Sequence, residues 1–461
     1  MKQGKARAIE KGTRARAGHD PRIAALRVLD RVLHGMESSQ AALDEALRES
    51  SLTPSDAGLC TELVYGCLRH KLLLDWWQAR LMKNPGKLPE EMRLILILAF
   101  YELAFLDKVP AYATVHGAVS RVRNRFGAAL SSVANGTLRS FQRGLGDVRS
   151  PAFYEKFCSG AAEALALRHS LPAWIPALWT AAYGEDEARA LCEASAARPP
   201  AGVRINARAP GAKEFRETLL RDLNGTAVGE WGIAFPEGAP PWLRREEAKG
   251  RLSYQSPAVQ EALEGIPREL LTAPLWDACA GRGGKSLALL ERDIPVSAAT
   301  DSSLPRINGL TRELARLGLD RTPDFDGAHP GAHLGPPAVF CADARHAALG
   351  DTFATIIADV PCSGLGTLCR RPEIRLRRSE EDIAAFCAVQ RDILDAAAPL
   401  TKAGGRVIYL TCTVTPEENE GQVADFLARH PDFRLHSMWR TPVDSPWKEV
   451  MFRAIVEKTG N

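Results

Sequence analysis

In the stretch Thr355-Ile-Ile-Ala-Asp359-Val-Pro-Cys362-Ser-Gly-Leu-Gly-Thr-Leu-Cys-Arg370-Arg371, a β-branched run delivers an acid to its end, and a thiol and a cationic flank follow. Proline stops the strand and two glycines loosen the turn that follows. In open α/β sheets ligands gather beyond the carboxyl ends of parallel strands, so Asp359 and Cys362 stand where chemistry is expected. A second thiol, Cys412, lies in Thr411-Cys412-Thr413 at the end of the apolar run 406–410. A free thiol titrates at about 8.5 and its ionised form is a strong nucleophile, so either cysteine is suited to covalent catalysis. Residue types alone do not rank the two.

Other strand ends carry acids. Leu275-Trp276-Asp277-Ala runs into Cys279-Ala280-Gly281-Arg282-Gly283-Gly284-Lys285-Ser286, where a helix is expected to begin. A P-loop requires glycine where Cys279 stands, and a dinucleotide fingerprint requires one where Ser286 stands, so both patterns fail. What survives is a glycine turn that admits a ligand to the backbone. Asp301 ends the next predicted strand, placed to meet a nucleoside ribose, and Asp343 the one after. Four acids and two cysteines therefore terminate five successive strands, which predicts a ligand cleft. Acids suit hydroxyls and amines rather than phosphates. S-adenosylmethionine, with a ribose, an adenine and an amino-acid end but no phosphate, meets that description.

These residues need a scaffold. From about residue 252 strand and helix signals alternate, predicting a parallel sheet with helices on both faces. Residues 21–145 read as nearly continuous helix, with Pro89-Glu90-Glu91 opening an apolar helix through Leu106 that should be the buried centre of an α-bundle. Arg121, Arg123, Arg125, Arg139 and Arg143 give its last helices a positive face that could meet phosphates. Residues 146–250 suggest a small α+β unit, with a strand at 203–206 and a helix at 210–224. The expected organisation is a basic, disordered tail (1–20), an all-α domain (21–145), a small α+β linker or RNA-recognition subdomain (146–250) and a Rossmann-like α/β catalytic domain (251–461).

The chain of 461 residues is 45% apolar and 25% charged, enough for full cores, with a net charge of only +3. Lys2, Lys5, Arg7, Lys11, Arg14 and Arg16 crowd its start against Glu10 and Asp20. No apolar segment follows them as a secretory signal requires. The apolar stretch 94–101 is far short of the roughly 20 residues that span a bilayer. A soluble, cytoplasmic protein with no membrane partner is expected. Ten cysteines without Cys-x-x-Cys spacing predict reduced thiols rather than a zinc site or a disulfide framework. The Gly/Pro-rich stretch 322–337, with His329 and His333, reads as a surface loop, and no metal is assigned to it.

Taken together, Asp277-Ala-Cys-Ala-Gly-Arg-Gly-Gly-Lys285, Asp359-Val-Pro-Cys362-Ser-Gly and Thr411-Cys412-Thr413 resemble the RNA 5-methylcytosine methyltransferase family. Leu63-Val-Tyr-Gly-Cys-Leu-Arg69, Phe105-Leu-Asp-Lys-Val-Pro110 and Asn135-Gly-Thr-Leu-Arg139 resemble the NusB-like RNA-binding domain that precedes the catalytic part in one bacterial branch. The resemblance implies an S-adenosylmethionine-dependent cytosine-C5 methyltransferase acting as a monomer on 16S ribosomal RNA or a small-subunit assembly intermediate. It assigns the nucleophile to Cys412, product release to Cys362 and the base edge to Asp359. It places the cofactor on Cys279, Ala280, Gly281, Gly283, Lys285, Asp301 (ribose), Arg306, Asp343 (adenine) and Asp359. Arg370, Arg371, Arg375, Arg377 and Arg378 are the expected phosphate-binding patch. Two departures stand out: Gly281-Arg282 replaces the family's usual Ala-Pro, and Glu449-Val-Met-Phe-Arg453 its usual Asp-Gly-Phe-Phe. The alternatives are transfer RNA or 23S ribosomal RNA as substrate, and a non-catalytic RNA-binding antitermination factor.

Overall fold

A computed structural model of the chain describes residues 20–321, 335–350 and 352–460. The basic start of the chain and the pair His329 and His333 lie outside the described residues.

The chain divides into two units, of which the first comprises the helices up to Ala196 together with the segment Leu368–Arg377. Its central helix, Glu90–Phe105, follows Pro89, carries Glu90 and Glu91 at its positive end and is buried at Met92 and at every position from Leu94 to Ala104. One acid in that helix, Glu102, is only 1% exposed. It is satisfied by the Arg22 guanidinium at 2.6 and 2.9 Å and by the Thr114 hydroxyl at 2.6 Å. Part of the expected cationic face is already neutralised, with Arg121 on Asp20 at 2.8 Å and Arg125 on Glu91 at 2.9 Å. Arg123, Arg139 and Arg143 remain exposed.

The helical packing continues past residue 145, the expected end of the all-α domain. Val148 and Tyr154 are buried in the same apolar cluster as Trp77 and Phe141. The Trp77 indole donates to the Tyr154 hydroxyl at 3.2 Å, which donates to the Val148 carbonyl at 2.6 Å. Helices continue to Glu185–Ala196, and strand structure begins only afterwards.

The second unit holds two sheets. Strands β1 (Ala201–Ile205), β2 (Thr226–Val228), β3 (Gly232–Phe235) and β4 (Leu252–Tyr254) form an antiparallel sheet in the order β2-β3-β1-β4, with the helix Ala212–Asp222 between β1 and β2. The larger sheet is built from β5 (Leu275–Asp277), β6 (Ala298–Asp301), β7 (Ala338–Cys341), β8 (Phe353–Asp359), β9 (Thr401–Thr411), β10 (Phe433–Arg440) and β11 (Phe452–Lys458), in the order β10-β11-β9-β8-β5-β6-β7. Strands β5 to β9 are mutually parallel, as expected. The sheet as a whole is mixed, because β11 runs antiparallel to both β9 and β10.

Alternate residues of the central strands face two separate cores. Leu275, Ile357 and Ile408 pack on one face, Trp276, Ile356 and Tyr409 on the other. Burial on both faces explains why these strands read as continuous apolar runs. The order reverses where β5 lies between β6 and β8, the crevice-forming switch point of such sheets.

Candidate active site

The glycine turn after β5 is shaped by positive backbone angles, Gly281 at φ 58° and Gly283 at φ 87°. A Cβ on Gly281 would meet nothing within 4 Å, whereas one on Gly283 would lie 2.2 Å from Leu310 Cδ1. Gly281 therefore opens onto free space and Gly283 onto the core. Gly283→Ala is expected to cost about 2–4 kcal/mol of stability, from the left-handed conformation plus overpacking. Gly281→Ala should cost only about 1–2 kcal/mol, for its backbone angle, yet crowd a ligand. Urea unfolding and cofactor titration of the two variants check this contrast.

The four strand-end acids converge on this turn. Asp277 is fully buried, with the Ser286 hydroxyl donating to it at 2.5 Å, and burial pushes its carboxyl up to about 6. Asp301 accepts from the Gly281 N–H at 3.0 Å and the Ser303 N–H at 2.8 Å, tying β6 to the glycine turn, and Arg306 stands 3.6 Å away. Asp343 caps residues 344–346 and is held down to about 2 by hydrogen bonds from the Arg345 side chain. Burial first, then the negative charge of Asp277, Asp359, Asp301 and Asp343, push the Cys279 thiol far up. One thiol thus feels all four carboxylates, which gather around a single place. A sulfonium and an ammonium suit such a place, and an open glycine backbone suits a nucleoside. The residues present fit S-adenosylmethionine.

Lys285, on the first turn of the helix Gly284–Leu290, forms an ion pair with Asp359 at the end of β8. Burial lowers the Lys285 pKa, but Asp359, by charge and hydrogen bond, outweighs it and the net shift is upward. Lys285 is also within electrostatic reach of the Cys412 sulfur. The pair was not anticipated, although each residue was.

Beyond Asp359 the two thiols meet. Cys362 Sγ lies 3.3 Å from Cys412 Sγ, and the Cys412 N–H points at Cys362 Sγ from 3.4 Å. The Cys362 pKa is driven well above the ordinary range by its hydrogen bond to Cys412, then by burial and by the charges of Cys412 and Glu418. The two sulfurs thus lie within hydrogen-bond reach of each other. The segment carrying Glu449, which departs from the family pattern, closes on the same place. Val450 N–H donates to Gly366 O at 2.9 Å, and Gly366 N–H donates to Cys412 O at 3.0 Å. Glu449 itself is buried and accepts from the Ser256 hydroxyl at 2.5 Å.

The expected phosphate-binding patch requires correction. Arg375 is 1% exposed, and its guanidinium donates to the carbonyls of Arg69, His169, Ser170, Ser195 and Leu368 at 2.8–3.3 Å. Arg377 donates to Val32 O and Glu37 O at 2.6 and 2.5 Å. Both arginines anchor the segment Leu368–Arg377 within the helical unit, and burial removes Arg375 from the expected patch while Nη2 of the half-buried Arg377 is spent on backbone. Arg378 donates to Ser363 O at 3.1 Å and lies over the Phe386 ring. Arg371 is exposed and Arg370 half-buried.

Sheet order, glycine turn and converging acids define a Rossmann-like methyltransferase site. Residues 267–456 match the family described as 16S rRNA methyltransferase RsmB/F, and residues 19–143 match the NusB family. A Synechocystis protein named probable ribosomal RNA small subunit methyltransferase B is 32% identical over 422 residues, 88% of each chain. The ribosomal RNA small subunit methyltransferase B of Pseudomonas syringae is 30% identical over 89% of this chain and 87% of its own. The crystal structure of PH0851 superposes with a TM-score of 0.71 at 22% identity, covering 95% of this chain and 99% of that one. The chain belongs to the ribosomal RNA small subunit methyltransferase B family of S-adenosylmethionine-dependent RNA methyltransferases. No helix among the described residues is long and apolar enough to cross a membrane.

Proposed function

We propose that this protein methylates C5 of a cytosine in 16S ribosomal RNA through a covalent bond between Cys412 and cytosine C6. The observation that carries the reading is the 3.3 Å approach of two thiols at the ends of the adjacent strands β8 and β9, beside the ion-paired Asp359. C5 of cytosine is too electron-poor to take a methyl group directly, and thiolate addition at C6 makes it nucleophilic. Cys412, to which the family resemblance assigns the addition, also lies within electrostatic reach of Lys285. Asp359, fixed by Lys285, holds the N3/N4 edge of the flipped base and favours the electron flow that addition requires. S-adenosylmethionine supplies the methyl group from the crevice of Gly281, Asp301 and Asp343.

Once Cys412 is bonded to carbon, its hydrogen bond and charge no longer hold the proton on Cys362. Cys362 then loses that proton to solvent, takes the C5 proton as a base, and the Cys412–C6 bond breaks to return the thiolate. The net change is one methyl gained by the base and one proton released. Arg370, Arg371 and Arg378 are the arginines of the expected patch that the reading retains for RNA phosphates.

A pure RNA-binding factor has no use for paired thiols beside an ion-paired acid, which favours the enzyme. Bisulfite sequencing of total RNA from a deletion strain tests the reading. Loss of one methylated cytosine in 16S RNA is expected. Loss in transfer or 23S RNA would reassign the substrate, and no change anywhere would end the proposal.

A further inference from the structure

One buried acid near the thiols holds a set of hydrogen bonds that the chemistry above does not use. Glu418 lies in Thr415-Pro-Glu-Glu418-Asn419, after Cys412, and is fully buried. Its carboxylate accepts from the Ser363 N–H at 2.8 Å, the Ser363 hydroxyl at 2.5 Å and Gln390 Nε2 at 3.0 Å. The hydroxyls of Thr415 and Thr413 lie 2.9 and 3.2 Å from it. Ser363 and Thr413 are themselves 2.6 Å apart through their hydroxyls, and the Tyr409 hydroxyl donates to the Glu418 carbonyl at 2.7 Å. Neutral donors thus satisfy a carboxylate's lone pairs in a dry place.

The donors are not scattered. Ser363 follows Cys362, and Gln390 also holds the carbonyl of Pro361, which precedes it, at 3.0 Å. Thr413 follows Cys412, and the next residue after the acid, Asn419, bonds Thr411 at 2.5 Å and the Thr413 carbonyl at 3.2 Å, gripping both neighbours of Cys412. A buried charge costs more than an apolar filler of the same volume, so packing alone does not account for it. We infer that Glu418 is a positioning residue that clamps the Cys362 turn to the Cys412 strand end and so sets the approach of the two sulfurs. Its negative charge beside Cys362 also helps keep that thiol protonated.

This inference rests on the reading of Cys362 and Cys412 as the reacting pair, but its geometric part is testable without turnover. Phenylarsine oxide condenses with two thiols, forming two As–S bonds and releasing water, only when both sulfurs reach one arsenic atom. In the full-length protein it is expected to bridge Cys362 and Cys412, as mapped by mass spectrometry, with bridging lost in Cys362→Ser. Glu418→Gln keeps the shape but turns one acceptor into a donor facing other donors. It should lose most of the bridging and lower kcat about 100-fold, the scale of a small misplacement of reacting groups, with KM for RNA and cofactor affinity within threefold. Should that variant not fold, Ser363→Ala, which removes one hydroxyl and leaves the acid otherwise satisfied, is expected to lower kcat about tenfold with unchanged circular dichroism. Bridging and kcat retained within threefold in Glu418→Gln, or in Ser363→Ala where Glu418→Gln does not fold, would overturn the inference. Wild-type bridging lost in Glu418→Gln without any 5-methylcytosine being formed would instead overturn the proposed reaction and leave the clamp standing.

Discussion

Cys412→Ala is expected to lose methyl transfer by on the order of 10⁴-fold or more and to form no covalent complex with RNA, while Cys362→Ala is expected to accumulate one. The asymmetry follows from the proposed division of labour, in which Cys412 adds to C6 and Cys362, 3.3 Å away, later takes the C5 proton. Removing Cys362 leaves that addition possible but deprives the methylated adduct of the group that takes the C5 proton. The adduct should then survive denaturing electrophoresis as a protein–RNA band dependent on S-adenosylmethionine. Neither substitution should unfold the chain, because both thiols are partly buried small side chains at strand ends, with Cys412 only at the edge of an apolar cluster. A stable adduct with Cys412→Ala and none with Cys362→Ala would exchange the two roles.

Arg375→Ala is expected to destabilise the helical unit by about 3–5 kcal/mol, the scale for emptying a buried charged site whose partners are left unmet. Five carbonyls lose their donor at once. Burial, with Arg69 adding its like charge, already pulls the guanidinium down to about 9, so this site strains even an arginine. Arg375→Lys should not restore stability, since one ammonium cannot reproduce a planar fork directed at several carbonyls. Arg371→Ala, at an exposed position, should leave stability within about 0.5 kcal/mol. It is expected instead to weaken RNA binding and reduce its salt dependence by about one unit of slope. Thermal unfolding paired with salt-dependent RNA titration separates the two arginines. Equal effects on RNA binding from both would restore the five-arginine patch.

The contrast between these arginines shows what sequence could and could not convey. Strand ends were legible because burial on both faces imposes apolar runs, and each run ends at a polar residue. Asp277, Asp301, Asp359, Cys362 and Cys412 could all be placed that way, whereas Asp343 follows β7, a largely exposed edge strand. The glycine turn was legible because a positive backbone angle at Gly283 against Leu310 leaves little choice of residue. Arg375 was misread because Arg370, Arg371, Arg375, Arg377 and Arg378 look alike in sequence, whereas the carbonyls that claim Arg375 come from distant helices. The antiparallel β11 was missed since nothing in an apolar strand records its direction. The packing beyond 145 was not legible because Tyr154, in a polar-looking stretch, bonds to Trp77 far upstream. Glu418 was passed over within Pro-Glu-Glu-Asn-Glu, which reads as a solvated acidic run. The alternation Thr411-Cys-Thr413-Val-Thr415 just before it was the available signal, since inward hydroxyls at that spacing need an acceptor.

The central claim is methylation at C5 of a cytosine in small-subunit RNA. Purified full-length protein, S-adenosylmethionine carrying a deuterated methyl group and 16S RNA from a strain lacking the gene allow a direct measurement. Nucleoside mass spectrometry after digestion is expected to show deuterated 5-methylcytidine at one position, absent with Cys412→Ala. Label on another base, on a ribose, or undiminished in Cys412→Ala would contradict the account.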